Sequence, residues 1–226
     1  MIIAFRGRQG TGKSSMAQAA AQMLGIPTVH SFSMVIKRGA ARYFGFEEAL
    51  CYTQNGKKEY LPNHDMTVRE ALCAYGAILR KQDPLGIVHG IDARLHEWFQ
   101  KHPALPFLVD DIRMPEELAW ARKYPSLVIQ AQANEDFHEN GNDITETALD
   151  DNRDYDLVLR VPRLKADGSF SSLEPAANLI RQAYTYKMAN WCIDRDMIDA
   201  PTESHFDPGW MELTRMVSDA CLSRKN

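Results

Sequence analysis

One short segment near the start of the chain carries the residue types that bind a triphosphate. Residues 7–14 read Gly-Arg-Gln-Gly-Thr-Gly-Lys-Ser and match the pattern G-x-x-x-x-G-K-[ST] in full. Glycines let consecutive backbone N–H groups point inward as an anion nest. The lysine ammonium of this motif meets the β- and γ-phosphates, and its hydroxyl ligates Mg²⁺. We therefore predict that ATP and Mg²⁺ bind through Gly7, Gln9, Gly10, Thr11, Gly12, Lys13, Ser14 and Ser15.

Two adjacent carboxylates follow a second apolar run. Residues 107–109 predict a buried strand, and Asp110 and Asp111 come directly after it. In a parallel sheet the carboxyl ends of the strands line the ligand crevice, where the phosphate loop also lies. We expect Asp110 to share the metal with Ser14, and Asp111 to contact the second substrate. The alternative for Asp111 is a structural role as a helix N-cap or turn acid.

Phosphoryl transfer between two phosphate-bearing substrates requires further cations to hold them in line. Arg113 follows the acidic pair at once, and Arg69 lies in the first turn of a predicted helix, where the macrodipole disfavours a structural cation. Two interpretations of Lys37 stay open: it binds the acceptor, or it lies on a solvated helix face. The predicted catalytic set is Lys13, Asp110, Arg113 and Arg69.

The composition excludes several classes of protein. The chain has 226 residues, of which 45% are hydrophobic and 25% charged, which argues against a disordered or fibrous protein. The net charge of −4 argues against a protein that binds mainly nucleic-acid backbone. The four cysteines show no CxxC spacing, so no zinc site is expected. Without a signal peptide or a long apolar run, the sequence predicts a cytoplasmic protein with no membrane partner.

Apolar runs alternate with helical patterns along the chain. This order predicts an α/β protein with a mostly parallel sheet of about five strands flanked by helices. The strands are expected at residues 2–6, 28–32, 107–109, 127–131 and 155–161. The helices are expected at 14–24, 34–44, 67–82, 89–100, 115–124, 172–188 and about 207–221.

Two segments are predicted to interrupt this core. Residues 51–65 are interpreted as an excursion with a hairpin turn at Asn55-Gly56. Residues 133–154, rich in Asn, Asp, Glu and Gly, are interpreted as a lid. The predicted organisation is a kinase domain over 1–189, with an acceptor-binding insertion at about 34–102, and a helical extension over 190–226.

In these segments the chain resembles the bacteriophage deoxynucleoside monophosphate kinase family. The similarity covers about residues 1–182 and consists of motifs that occur in the same order. The motifs are the phosphate loop, Ser31-Phe-Ser-Met-Val-Ile-Lys37, Thr67-Val-Arg-Glu-Ala-Leu-Cys-Ala-Tyr-Gly76, Val109-Asp-Asp-Ile-Arg-Met-Pro-Glu-Glu117, Asp143-Ile-Thr-Glu146, and the 155–161 strand followed by Ser172-Leu-Glu.

The resemblance implies the P-loop fold of nucleoside monophosphate kinases and transfer of the γ-phosphoryl group of ATP to a deoxynucleoside 5′-monophosphate. By matching position, Arg69 and Arg113 hold the acceptor phosphate, and Glu146 belongs to the lid or the acceptor side. The chain departs from the family where an arginine commonly follows the 127–131 strand, since residues 132 and 133 are Gln and Ala. A homodimer is consistent with this reading.

Two other functions stay open at this stage. The first is a kinase that phosphorylates a hydroxymethylated pyrimidine nucleotide, or its hydroxyl within DNA, which would need Asp110 or Asp111 as a base. DNA is a partner only under that reading. The second is a nucleotide-binding module without catalysis, whose partner surface would be the tail after residue 190.

Overall fold

The computed structural model describes residues 1–8, 10–133, 147–161 and 172–193, and within them strands alternate with helices. A 3₁₀ helix covers Glu48–Tyr52. In chain order the other elements are β1 (Ile2–Arg6), α1 (Lys13–Leu24), α2 (Ser33–Phe44), α3 (Gln54–Lys58), β2 (Tyr60–Leu61), β3 (Met66–Thr67), α4 (Val68–Gln82), α5 (Gly86–Lys101), β4 (Phe107–Ile112), α6 (Pro115–Arg122), β5 (Ser126–Ala133), β6 (Leu157–Val161) and α7 (Glu174–Ile193).

Four parallel strands form the main sheet in the order β4-β1-β5-β6. In this register Ala4 of β1 lies opposite Val109 of β4 and opposite Val128 of β5. Every residue of β1 is buried, as expected for a strand inside a parallel sheet that helices flank. The predicted α/β class with a parallel sheet is therefore confirmed.

The predicted strand at residues 28–32 is reduced to a single bridge. His30 pairs with Val109 on the open edge of β4, with its N–H 2.8 Å from the Leu108 oxygen. The backbone leaves the sheet at once because α2 begins at Ser33. Among the described residues the sheet thus has four full strands and one bridging residue, where about five strands were expected.

The hairpin predicted at Asn55-Gly56 is wrong, because both residues lie inside α3. The Thr53 hydroxyl accepts the Gly56 N–H at 2.9 Å and so caps the helix. Gly56 also packs so tightly that a Cβ there would lie 2.5 Å from the Leu50 oxygen. The antiparallel pair instead joins β2 to β3, a few residues further along the chain.

Caps fix the start of two further helices. At α4 the Thr67 hydroxyl accepts the Glu70 N–H while the Glu70 carboxylate accepts the Thr67 N–H, which is the predicted capping box. At α6 Pro115 occupies the first turn, where its missing N–H has no cost. These two junctions hold Arg69 and Arg113 close to helix N-termini.

The chain divides into two compact units, Met1–Arg181 and Gln182–Asn226. Within the second unit the described residues, 182–193, are helical. The predicted last helix at about 207–221 lies outside the described residues, as does most of the predicted lid, residues 134–146. A search of the described helices for one with the length and apolar character to cross a membrane found none.

Candidate functional site

The loop between β1 and α1 has the backbone conformation of an anion cradle at its glycines. Gly7, Gly10 and Gly12 have positive φ angles of 138°, 78° and 82°, a region that side chains with a Cβ disfavour. At Gly7 a Cβ would also lie 2.4 Å from the Ala131 oxygen of β5. The N-cap of α1 is Gly12, which offers no side chain to the first-turn N–H groups. Those donors therefore have no capping side chain.

Lys13 lies across the inside of this loop. Its ammonium donates to the carbonyl oxygens of Gly7 and Arg8, both at 2.6 Å. Only 6% of the residue is exposed. The lysine thus supplies positive charge within the loop.

Two arginines attach the loop to residues 149–152. The buried Arg6 guanidinium donates to the Leu149 oxygen at 2.5 Å and to the Asn152 Oδ1 at 2.9 Å. The exposed Arg8 forms an ion pair with Asp150 at 2.5 Å. The described end of the predicted lid is therefore connected to the phosphate loop by side-chain contacts.

Asp110 lies inside β4, beside the loop. Its Oδ1 is buried and has no hydrogen-bond partner among the described residues. Burial and the neighbouring Asp111 carboxylate raise the pKa of Asp110, whereas a hydrogen bond from Ser14 and the charges of Lys37 and Lys13 lower it. The Asp110 carboxylate has an unsatisfied buried oxygen, and the exposed Ser14 hydroxyl lies next to it. Two such oxygen groups fit Mg²⁺ as ligands.

Asp111 is buried and turned toward the start of α2. Its Oδ1 accepts the Phe32 N–H at 2.7 Å, and its Oδ2 accepts the Ser33 N–H at 3.0 Å and the Ser31 hydroxyl at 2.6 Å. A carboxylate at this position satisfies N–H donors that a helix start leaves open. The structure thus gives Asp111 a helix-capping role, with a second-substrate role remaining a prediction.

The predicted acceptor residues come from separate elements. Lys37 lies on α2 with its ammonium 4.8 Å from the centre of the Tyr52 ring. Arg69, in the first turn of α4, donates to the Gln54 Oε1 at 3.0 Å. Arg113 follows β4, and its backbone N–H donates to the buried Glu117 carboxylate at 2.8 Å.

Sequence reasoning missed a fourth cation, Lys57 of α3. The pKa of Lys57 is lowered by burial and then by the positive charges of Lys37, Arg69 and Arg113, so these three side chains lie within electrostatic range of it. We call these residues, Lys37, Lys57, Arg69 and Arg113, the cation quartet. The wrong hairpin assignment hid Lys57, because a lysine beside a surface turn has no reason to face a site.

Glu117 also escaped the sequence analysis. It is 3% exposed and accepts the backbone N–H groups of Arg113 and Met114 at 2.8 and 3.1 Å. Burial and the Asp111 carboxylate raise its pKa to about 8. Glu117 lies three residues after Met114, the N-cap of α6, and a Glu at this position of a helix start is the sequence signal that could have identified it as a cap.

The structure brings together several of the predicted site residues. Lys13 contacts the glycine loop, and Lys13, Ser14 and Lys37 all interact with Asp110. Gln9 and Glu146 lie outside the described residues. In the described part of the chain no three or more His, Cys, Asp or Glu side chains are grouped to hold a metal ion. The pair of oxygen groups formed by Ser14 and Asp110 fits Mg²⁺, an ion that also takes phosphate and water oxygens.

Comparison with known proteins adds no assignment. No protein-family model matches the chain, and no curated protein matches it.

Proposed function

We propose that the protein is a P-loop kinase that transfers the γ-phosphoryl group of ATP to a (deoxy)nucleoside 5′-monophosphate. The observation that carries the proposal is the position of Asp110. Ser14 of the phosphate loop donates a hydrogen bond to this carboxylate. The positive charges of Lys37, from the cation quartet, and of Lys13, from the loop, also lower its pKa. One carboxylate therefore adjoins both a triphosphate cradle and a cationic region suited to a second phosphate.

The donor side is supported by the backbone. The three positive-φ glycines, the uncapped first turn of α1 and the inward Lys13 provide N–H donors and one ammonium for the β- and γ-phosphates. The loop also follows β1, an inner strand of the sheet, at its carboxyl end. Ligands of open parallel sheets bind at this end of the strands.

Ser14 and Asp110 would hold Mg²⁺, which when bound neutralises charge on the phosphates. The residues of the chain then act by position and charge. Lys13 holds the transferred phosphoryl group, while Arg69 and Arg113 hold the acceptor phosphate in line with it. An acceptor phosphate is already ionised near neutral pH, so the chain needs no strong base.

The raised pKa of Asp110 supports a second candidate. A carboxyl group whose pKa lies above its usual range is better suited to accept a proton from an attacking hydroxyl. Transfer to the hydroxyl of a hydroxymethylated pyrimidine nucleotide, free or in DNA, is therefore the alternative. Lys37, which acts on Asp110, and the cations near Lys57 favour the monophosphate, because a hydroxyl brings no charge for them to neutralise.

The test is an acceptor panel. The protein is incubated with ATP and Mg²⁺ together with each deoxynucleoside monophosphate, each hydroxymethylated pyrimidine nucleoside or nucleotide, or single-stranded DNA that contains the modified base. Products are separated by chromatography. We expect ADP and a nucleoside diphosphate in equal amounts with at least one monophosphate. Phosphorylated DNA or nucleoside alone would support the alternative, and no acceptor-dependent ADP would refute both.

A further inference from the structure

Tyr52 exposes its ring although the residues on both sides of it are held in place. The residue is 54% exposed and lies in the 3₁₀ helix, directly after Cys51, which is fully buried. The next residue, Thr53, caps α3 through its hydroxyl, which accepts the Gly56 N–H at 2.9 Å. Because the backbone that carries the ring is already ordered, a ligand that packs against the ring has little further ordering to pay in entropy.

Two contacts fix the Tyr52 side chain itself. Its hydroxyl donates to the Glu48 Oε1 at 2.6 Å, and the Lys37 ammonium lies 4.8 Å from the centre of the ring, within the range of a cation–π contact. The hydrogen bond to Glu48 and burial raise the pKa of Tyr52 to about 12, so the ring is neutral near pH 7. An exposed, neutral and ordered aromatic ring is a surface on which another flat ring can stack.

Direct contacts connect the segment around Tyr52 to two of the proposed acceptor-binding residues. Lys37 contacts the Tyr52 ring, and Arg69 donates to the Oε1 of Gln54, two residues after Tyr52, at 3.0 Å. These contacts come from two different helices, α2 and α4. Tyr52 therefore lies on the side of the protein where we propose that the acceptor binds.

The start of α2 relates the position of the ring to the carboxylates of β4. Asp111, which follows Asp110 directly, accepts the N–H of Ser33, the first residue of α2, at 3.0 Å. Lys37 lies about one turn further along this helix, an axial rise of about 6 Å. One helical turn and one lysine side chain thus separate the carboxylates from the ring. A nucleotide is extended in the same way, with its phosphate at one end and its base at the other.

We propose that Tyr52 binds the nucleobase of the acceptor by stacking, and that it thereby selects acceptors with a heteroaromatic base over other phosphate esters. This inference rests on the proposed function, which it deepens by naming the residue that recognises the base. Every base has a π-face, so stacking favours nucleotides as a class without a strong preference among the bases.

Tyr43 provides a matched control on the same face-forming helix, α2. It is also an exposed tyrosine, with 64% of its surface accessible, and its ring packs against those of Phe44 and Tyr75. It lies six residues beyond Lys37, about 9 Å further along the helix axis and away from Ser33. Replacement of Tyr43 therefore measures the general effect of removing an exposed tyrosine.

The test measures by calorimetric titration the Kd of a deoxynucleoside monophosphate and that of 2-deoxyribose 5-phosphate, which lacks the base. The ratio of the two values reports the contribution of the base to binding. We expect wild type to bind the nucleotide more tightly, and Tyr52→Leu to reduce the ratio about tenfold through weaker binding of the nucleotide alone. Tyr52→Phe, which keeps the ring, and Tyr43→Leu should keep the wild-type ratio.

Thermal unfolding checks that the variants are folded, and Tyr52→Gln repeats the test with a polar side chain suited to an exposed position. An unchanged ratio in both Tyr52→Leu and Tyr52→Gln, the same fall in Tyr43→Leu, or a wild type that binds both ligands equally well would overturn the inference.

The binding assay needs no turnover, so it separates the two proposals. If wild type transfers no phosphoryl group but Tyr52→Leu loses the contribution of the base, the proposed function fails and the inference about Tyr52 holds. If transfer occurs and the ratio does not change, only the inference about Tyr52 fails.

Discussion

The loop over residues 7–14 and the cation quartet are built in two different ways, although we propose a phosphate-binding role for both. The loop is one continuous segment whose donors are mainly backbone N–H groups, and its single ammonium is satisfied by carbonyl oxygens in the free protein. The quartet is made of side chains from four separate places in the fold, and around Lys57 like charges face each other. The loop ammonium therefore has hydrogen-bond acceptors within its own segment, whereas Lys57 has like charges among its neighbours, which a bound anion would offset.

The largest effect is expected when the charged side chain of the loop, that of Lys13, is removed. Lys13→Met should lower kcat/KM for transfer by roughly 10²–10³-fold, since a preorganised charge at the reacting phosphate is lost. Coupled ADP release measures the loss. Circular dichroism and thermal unfolding serve as controls that the fold persists. Activity within a few-fold of wild type would mean that the loop is not the donor site.

Asp110 is influenced by Ser14 and Lys13 of the loop and by Lys37 of the quartet, so its replacement tests whether the two regions act together. Asp110→Asn keeps the shape and removes the charge, and we expect about a 10²-fold lower kcat with a higher Mg²⁺ requirement. Rates measured across a range of Mg²⁺ concentrations separate these effects. A lower rate with an unchanged Mg²⁺ dependence would contradict the metal-binding role and favour Asp110 as a base.

A backbone-built loop should be damaged by a single methyl group. Gly7→Ala places a Cβ against the Ala131 oxygen at a positive φ angle, and we expect a loss of about 1–3 kcal/mol in the free energy of unfolding, together with weaker ATP binding. Gly25→Ala is the matched control, because Gly25 also has a positive φ of 66° but open space around it. Chemical denaturation compares the two. Equal losses would show that the contact with β5 is unimportant.

The smallest expected effect is a pH dependence of the free energy of unfolding. It comes from Glu117, which accepts the backbone N–H of Arg113. The pKa of Glu117 is raised from 4.5 in the unfolded chain to about 8, so the folded protein keeps a proton that the unfolded chain releases. Its contribution to stability is present below pH 4.5 and is lost as pH rises toward 8. The slope for one proton is at most about 1.4 kcal/mol per pH unit.

Chemical denaturation between pH 6.5 and 8 separates the contribution of Glu117 to this slope from the contribution of His30. Burial lowers the pKa of His30 from 6.5 to about 4, so His30 costs stability only as pH falls below 6.5. Wild type should lose stability across the chosen window, and Glu117→Gln, which cannot ionise, should show a flatter profile. Parallel profiles for the two proteins would mean that Glu117 is ionised in the fold.

The difference between the regions also explains what the sequence could reveal. The loop is contiguous, so its residue types and spacing identify it without a fold. Arg69 and Arg113 were found because their positions at helix starts and beside the acid pair were unusual. Lys57 was not found, because only the tertiary packing of α3 against α4 turns a lysine from an apparent hairpin toward the other cations.

The fold was predictable to a similar degree. Apolar runs and capping signals predicted β1, α1 and α4 within a residue or two. The strand at 28–32 shrank to His30 because Asp111, distant in sequence, captures the N–H groups of Phe32 and Ser33 and starts α2 early. The Asn-Gly turn signal failed for the same kind of reason, since Thr53 and the close packing on Leu50 favour a helix there.

The central claim is that the loop and the quartet hold two phosphate groups facing each other across Asp110. The most direct measurement is calorimetric binding of a bisubstrate analogue, two nucleosides joined by five phosphates. We predict one molecule bound per chain, much more tightly than ATP alone, with affinity reduced both by Lys13→Met and by Arg69→Gln. Affinity no better than that of ATP, or insensitivity to Arg69→Gln, would contradict the account.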